Sequence, residues 1–169
     1  ARSMDRDPKH LQELPKRSPA HKGASFLEIY QNCNIFNDGA FEIFTEKGSK
    51  PQETIFLEHG QPLVFGAQKN LGVRLDGLKP VVVELGAEYS AADLWVHDEA
   101  DFYKAQLLTR MFDDPRIEGH LPRPFGVFYQ TSRPTYEEVM ARQIEEAVAK
   151  RGPGNLDKLL AGNETWTIR

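Results

Sequence analysis

A single thiol, Cys33, stands in "EIYQNCNIFNDG" (28–39), between two asparagines and ahead of a turn rich in Asn, Asp and Gly. A lone cysteine can be a small buried hydrophobe, a nucleophile, or one thiolate of a metal centre. Nucleophilic work favours a basic neighbour that lowers the thiol pKa. The local segment supplies Asn32, Asn34 and Asp38 instead, which disfavours that role. A metal site made by this chain alone needs further donors at fixed spacing, yet C-x-x-C, H-E-x-x-H and an Asp-rich calcium loop are all missing. The five histidines (10, 21, 59, 97 and 120) never pair at i, i+4, so each is expected on the surface or in a turn. His97-Asp98-Glu99 has the residue types for acid–base chemistry, although Asp98 and Glu99 suit the acidic first turn of a helix better. Neither G-x-x-x-x-G-K nor G-x-G-x-x-G occurs, so no glycine loop cradles a phosphate.

The elements that must position Cys33 follow from pattern. Asp7 as N-cap and Pro8 at the first helical position start a helix, with Leu11 and Leu14 on one face, and Pro15 and Pro19 should keep it short. "ASFLEIYQN" (24–32) has apolar groups on both sides and reads as a mostly buried strand leading into the cysteine. Behind it, "NDGAFEIFTEKG" suits a turn and a short helix, with Phe41 and Phe44 three apart. From about residue 52 the texture changes to glycine-punctuated strands. "ETIFLEHGQPLVFG" reads as a hairpin turning near His59-Gly60, and "LGVRLDGLKPVVVEL" as another closed by Asp76-Gly77. "HDEADFYKAQLLTRMF" (97–112) is expected to be helical, with Phe102, Ala105, Leu108 and Met111 or Phe112 on one face. "RPFGVFYQ" (123–130) reads as a strand, and "TYEEVMARQIEEAVAKRG" is the clearest helix, stopped by Gly152 and Pro153. A short helix, "NLDKLLAG", and the tail "NETWTIR" follow.

Composition narrows the partners. At 169 residues the chain can bury a real core, and its 40% hydrophobic and 27% charged residues are those of an ordinary globular protein. Net charge is -4, with 21 Lys and Arg scattered rather than striped, so nucleic acid is an unexpected partner. No apolar run approaches the roughly 18 residues of a membrane span, and the polar start is no signal peptide. One cysteine makes no internal disulfide, which agrees with a cytoplasmic setting. The opening "ARSMDRDPKH" has no initiator Met, and a processed chain or fragment is expected.

"HKGASFLEIYQNCNIFN" resembles the beta subunits of 2-oxoacid:ferredoxin oxidoreductases, in which a His-(Lys/Arg)-Gly turn and a buried strand precede a Cys-x-x-Phe-Asn element. His21, Lys22, Gly23, Cys33, Phe36 and Asn37 occupy the matching places. The likeness is to the 2-oxoglutarate type found in actinobacteria, through "EIYQNCN.FNDGAF", "LEHG.P..FG" (57–66) and "LL.G..TW", so it runs nearly end to end. Two departures stand out. Asn32 replaces a proline common in relatives, and Pro15 and Pro19 interrupt a usually cleaner helix; neither removes the thiol.

The resemblance implies an α/β remnant of a thiamine-diphosphate-binding domain (1–46), followed by an α+β C-terminal extension with short antiparallel strands (47–169). It implies oxidative decarboxylation of a 2-oxoacid, 2-oxoglutarate by likeness, with coenzyme A and ferredoxin, by a heteromer with an alpha subunit. Thiamine diphosphate, Mg2+ and one [4Fe-4S] cluster are the implied cofactors, and Cys33 matches the last of four cluster thiolates. The other three cysteines and the Gly-Asp-Gly stretch that binds the diphosphate precede the matching region, and Asp38-Gly39 and Asp76-Gly77 lack the preceding glycine. This chain alone is therefore expected to bind none of these cofactors and to contribute no catalytic residue. Two alternatives remain: a non-catalytic domain whose hairpins and amphipathic 134–151 helix dock on a partner, and, more weakly, a stand-alone cysteine hydrolase.

Overall fold

The computed structural model describes residues 1–112, 119–164, 166 and 168. It is a mixed α/β structure with short parallel and antiparallel strands, dividing into compact units 1–132 and 133–169.

The first unit opens with β1 (Arg2–Met4) and α1 (Pro8–Ala20). The Asp7 side chain accepts from the His10 N–H at 3.1 Å, the N-cap expected of it. Contrary to expectation, α1 runs through both Pro15 and Pro19. Each proline forfeits one helical hydrogen bond, but both lie on the exposed side, where water satisfies the orphaned carbonyls. The strand expected over 24–32 contracts to β2 (Glu28–Tyr30), paired in parallel with β1. It is not mostly buried: Phe26 is 82% exposed and Ile29 45%, because only Tyr30 turns toward a core. Two short helices follow, α2 (Glu42–Thr45) and α3 (Lys50–Glu53).

β3 (Thr54–Phe56) does not form the expected hairpin through His59-Gly60; it pairs in parallel with the distant β7 (Arg123–Phe125). β4 (Val64–Phe65) instead joins β5 (Leu71–Asp76), which forms a true hairpin with β6 (Lys79–Glu84). Asp76 pairs with Lys79 across a two-residue turn, and Gly77 takes φ 61°, a conformation that suits glycine at the first turn position. α4 (Phe102–Leu108) is shorter than the helix expected over 97–112, since Asp101 is its N-cap and accepts from the Lys104 N–H at 2.9 Å. Asp98 and Glu99 thus precede the helix rather than fill its first turn.

Two clusters form the core. Ile55, Leu63, Val73, Trp95, Leu108 and Met111 centre the larger one, and burying each such side chain contributes about 1.5–3 kcal/mol. Met4, Tyr30, Phe44 and Phe125 make the smaller one, with Phe41 and Phe56 packed against it. The second unit contains α5 (Tyr136–Arg151) and α6 (Leu156–Ala161). Thr135 and Glu138 form a reciprocal capping box at the start of α5, and Gly152 ends it at φ 78°. The expected tail 163–169 lies partly outside the described residues.

Candidate functional site

The Cys33 turn hangs from the aromatic cluster. Tyr30, last residue of β2, stacks on Phe41 at 4.4 Å between ring centroids and meets Phe125 edge-on at 5.4 Å. Its hydroxyl accepts from Arg123 Nη1 at 2.7 Å, so both ends of the ring are fixed. Just beyond, the Asp5 N–H donates to the Tyr30 carbonyl at 3.0 Å, and the Asn32 N–H to Asp5 Oδ2 at 3.4 Å. The chain therefore leaves β2 in a set direction.

Asn32 then closes the turn. Its amide donates to Asn34 Oδ1 at 2.8 Å and Asp38 Oδ1 at 2.9 Å, while its Oδ1 accepts from the Gly39 N–H at 2.9 Å. The Asn37 N–H donates to the Cys33 carbonyl at 2.9 Å. Asn32 is thus the clasp of the turn. The signal that locates it is the density of Asn, Asp and Gly, whose side chains bond their own backbone two or more residues on.

Within this clasp the thiol is partly exposed, so Cys33 is not a core hydrophobe. Backbone N–H groups of Phe36 first, then Ile35 and Asn37, hydrogen-bond the sulfur and hold its pKa below the ordinary thiol value. The acidifying partner absent from the neighbouring side chains is supplied by the main chain. Ile35 and Phe36, which carry two of those amides, project their side chains into solvent, 82% and 90% exposed. The turn offers one partly exposed thiol backed by peptide dipoles, a donor that fits a soft metal centre as one ligand among several. Among the described residues no three His, Cys, Asp or Glu side chains gather into a metal site.

Of the motif residues, Cys33, Phe36 and Asn37 share this turn, whereas His21 caps the C-terminus of α1 and Gly23 follows at φ 106°. His97 contradicts its expected surface position. It is 1% exposed, and its Nε2–H donates to the Val127 carbonyl at 2.8 Å. Nδ1 is left bare and without a partner, and burial holds the ring below its usual pKa and neutral. Glu99 likewise serves structure: it takes a bidentate pair from Arg17 of α1, with Nη1 at 2.9 Å, and its backbone N–H donates to His59 Nδ1 at 3.2 Å. Sequence spacing gives no hint of the link between Arg17 and Glu99, because it spans 82 positions.

No family model matches the chain, and no solved structure matches it. A curated relative does: 2-oxoglutarate oxidoreductase subunit KorB of Mycobacterium tuberculosis, 34% identical over 171 aligned positions that cover 99% of this chain. The chain spans 44% of that relative's length, less than half. This likeness, which extends over nearly the whole chain, supports a beta subunit of the 2-oxoacid:ferredoxin oxidoreductase kind, of the 2-oxoglutarate type.

Proposed function

We propose that the chain works as part of an oxidoreductase beta subunit that, with an alpha subunit, oxidatively decarboxylates a 2-oxoacid, 2-oxoglutarate by likeness, and passes the electrons to ferredoxin while coenzyme A takes the acyl group. The observation that carries this reading is the 34% identity to a 2-oxoglutarate oxidoreductase subunit over 99% of the chain. On this reading residues 1–46 belong to a thiamine-diphosphate-binding domain and 47–169 extend it. Cys33 supplies one of four thiolates to a [4Fe-4S] cluster, the others coming from outside this chain. Thiamine diphosphate with Mg2+ supplies the carbanion chemistry and the cluster supplies one-electron transfer.

This chain's own contribution is to hold a thiolate. The amides of Phe36, Ile35 and Asn37 stabilise negative charge on sulfur and lower the thiol pKa, the direction that favours a metal-ligating thiolate. The exposed Ile35 and Phe36 side chains are placed to exclude water from whatever docks over the thiol. The hydrolase alternative gains nothing from the geometry, since neither His nor Lys acidifies the sulfur.

The test is Cys33→Ala in the complete heteromer. Iron content and visible absorbance should fall and ferredoxin reduction should stop, while decarboxylation of the first substrate molecule continues. If iron content, absorbance and ferredoxin reduction all match the wild type, Cys33 is no ligand.

A further inference from the structure

"LEHGQPLVFG" (57–66) carries part of the family likeness but takes no part in the Cys33 turn. Its residues Glu58, Pro62, Phe65 and Gly66 line a cleft of about 600 Å3 whose other wall comes from β3 and α3. Small-molecule sites run to about 300–1,000 Å3, so the cleft has room for a ligand of modest size. Phe56, Val64 and Pro51 add apolar surface.

Three charged side chains line it: Lys50, Glu58 and Lys69. Lys50 Nζ already sits 2.8 Å from Asp7 Oδ2, and its charge is answered. The Lys69 ammonium has no ion-pair partner among the described residues. Lys69 is also the single described non-glycine residue with a positive φ, 52°. Left-handed backbone is unfavourable for an L side chain and concentrates at ligand sites. Here the Lys69 N–H bonds the Gly66 carbonyl at 3.0 Å, and the Gly66 N–H bonds the Pro51 carbonyl at 2.8 Å, so the rim that presents the lysine is tied to the opposite wall.

We propose that this cleft binds a small amphipathic monoanion, an aryl or branched acyl monocarboxylate, with its carboxylate on Lys69 Nζ and its apolar body against Phe56, Pro62 and Phe65. The charge pattern selects a monoanion. With Lys50 neutralised by Asp7, a second negative group would meet Glu58 rather than a cation. The apolar walls favour a ligand with a hydrocarbon body over a bare inorganic anion. The site is independent of any role for Cys33.

The test is an NMR titration of the 15N-labelled chain with 4-phenylbutyrate, its neutral amide, and acetate. The carboxylate should produce saturable shifts at Val64, Gly66 and Lys69, with a Kd of about 1 mM for a ligand of this size. Lys69→Gln, and separately the neutral amide, should weaken binding about tenfold, the worth of one charge-assisted hydrogen bond. Gln61→Trp should block the cleft mouth and abolish the shifts; only the Gln61 main chain is engaged, its carbonyl accepting from the His97 N–H. No saturation below about 10 mM, equal binding by Lys69→Gln, or shifts spread far from the cleft would each overturn the proposal.

Discussion

The surroundings of His97 and the Cys33 turn are opposites. At His97 a polar ring is buried, with one nitrogen satisfied and the other bare. At Cys33 apolar side chains stand in solvent on a turn closed by amides and carboxylates. The first arrangement draws its stability from packing and tolerates one unsatisfied atom. The second gains little from packing and much from geometry, since its side-chain hydrogen bonds fix the direction of a thiol that remains reachable. A polar residue in a core can be purely structural, and an apolar residue on a surface can be part of a site.

The contrast breaks most severely if the packed region is emptied. Leu108→Ala removes a side chain that is 1% exposed, and unfolding in urea followed by far-UV circular dichroism should show a loss of about 3 kcal/mol. His97→Gln comes next. Burial lowers the folded-state pKa of His97 below the ordinary 6.5, so the unfolded chain binds the proton first. Its contribution is therefore fully present above about pH 6.5 and is lost as pH falls toward the lower folded value. The substitution should cost about 1–2 kcal/mol at neutral pH and flatten the decline between pH 7 and pH 5. His10, also held low by burial, should leave part of that slope in place.

On the other side, Asn32→Ala should change global stability by no more than about 0.5 kcal/mol while speeding amide exchange at Gly39 about tenfold. An unchanged Gly39 rate would mean the main chain holds the turn without its clasp. The smallest effect belongs to Phe36→Ala, within about 0.5 kcal/mol despite the loss of a whole aromatic ring. A larger loss would show that Phe36 is packed in solution and would erase the contrast.

What the sequence revealed and what it concealed divide along the same physical line. The hairpin through Asp76-Gly77, the Asp7 cap of α1, the Thr135 and Gly152 ends of α5 and the α2 helix were all legible, because each is decided by residues a few positions apart. The pairing of β3 with β7 was not, since its partners lie 69 positions apart and only burial brings them together. His97 was misjudged for the same reason: its neighbour Val127 is 30 positions away. The persistence of α1 through two prolines depends on which face meets water, and local propensity says nothing of that. At the site, the cysteine was visible by resemblance and the turn by its composition, but Asn32's three hydrogen bonds emerge only from the folded turn.

The position of β1 bears on the order in which the molecule can assemble. Arg2 exchanges two backbone hydrogen bonds with Gly126, its side chain reaches Glu28, and Met4 is fully enclosed beside Phe125. During synthesis the strand beside the Cys33 turn can find Glu28–Tyr30 early, but its contacts around Pro124 and Gly126 must await most of the first unit, Arg2 and Pro124 being 122 positions apart. Long-range closure of this kind is slow and leaves apolar surface open meanwhile. The aromatic cluster should therefore be among the last parts to gain protection in a refolding experiment, well after the Asp76-Gly77 hairpin. The thiol would then receive its final orientation only once the first unit is essentially complete.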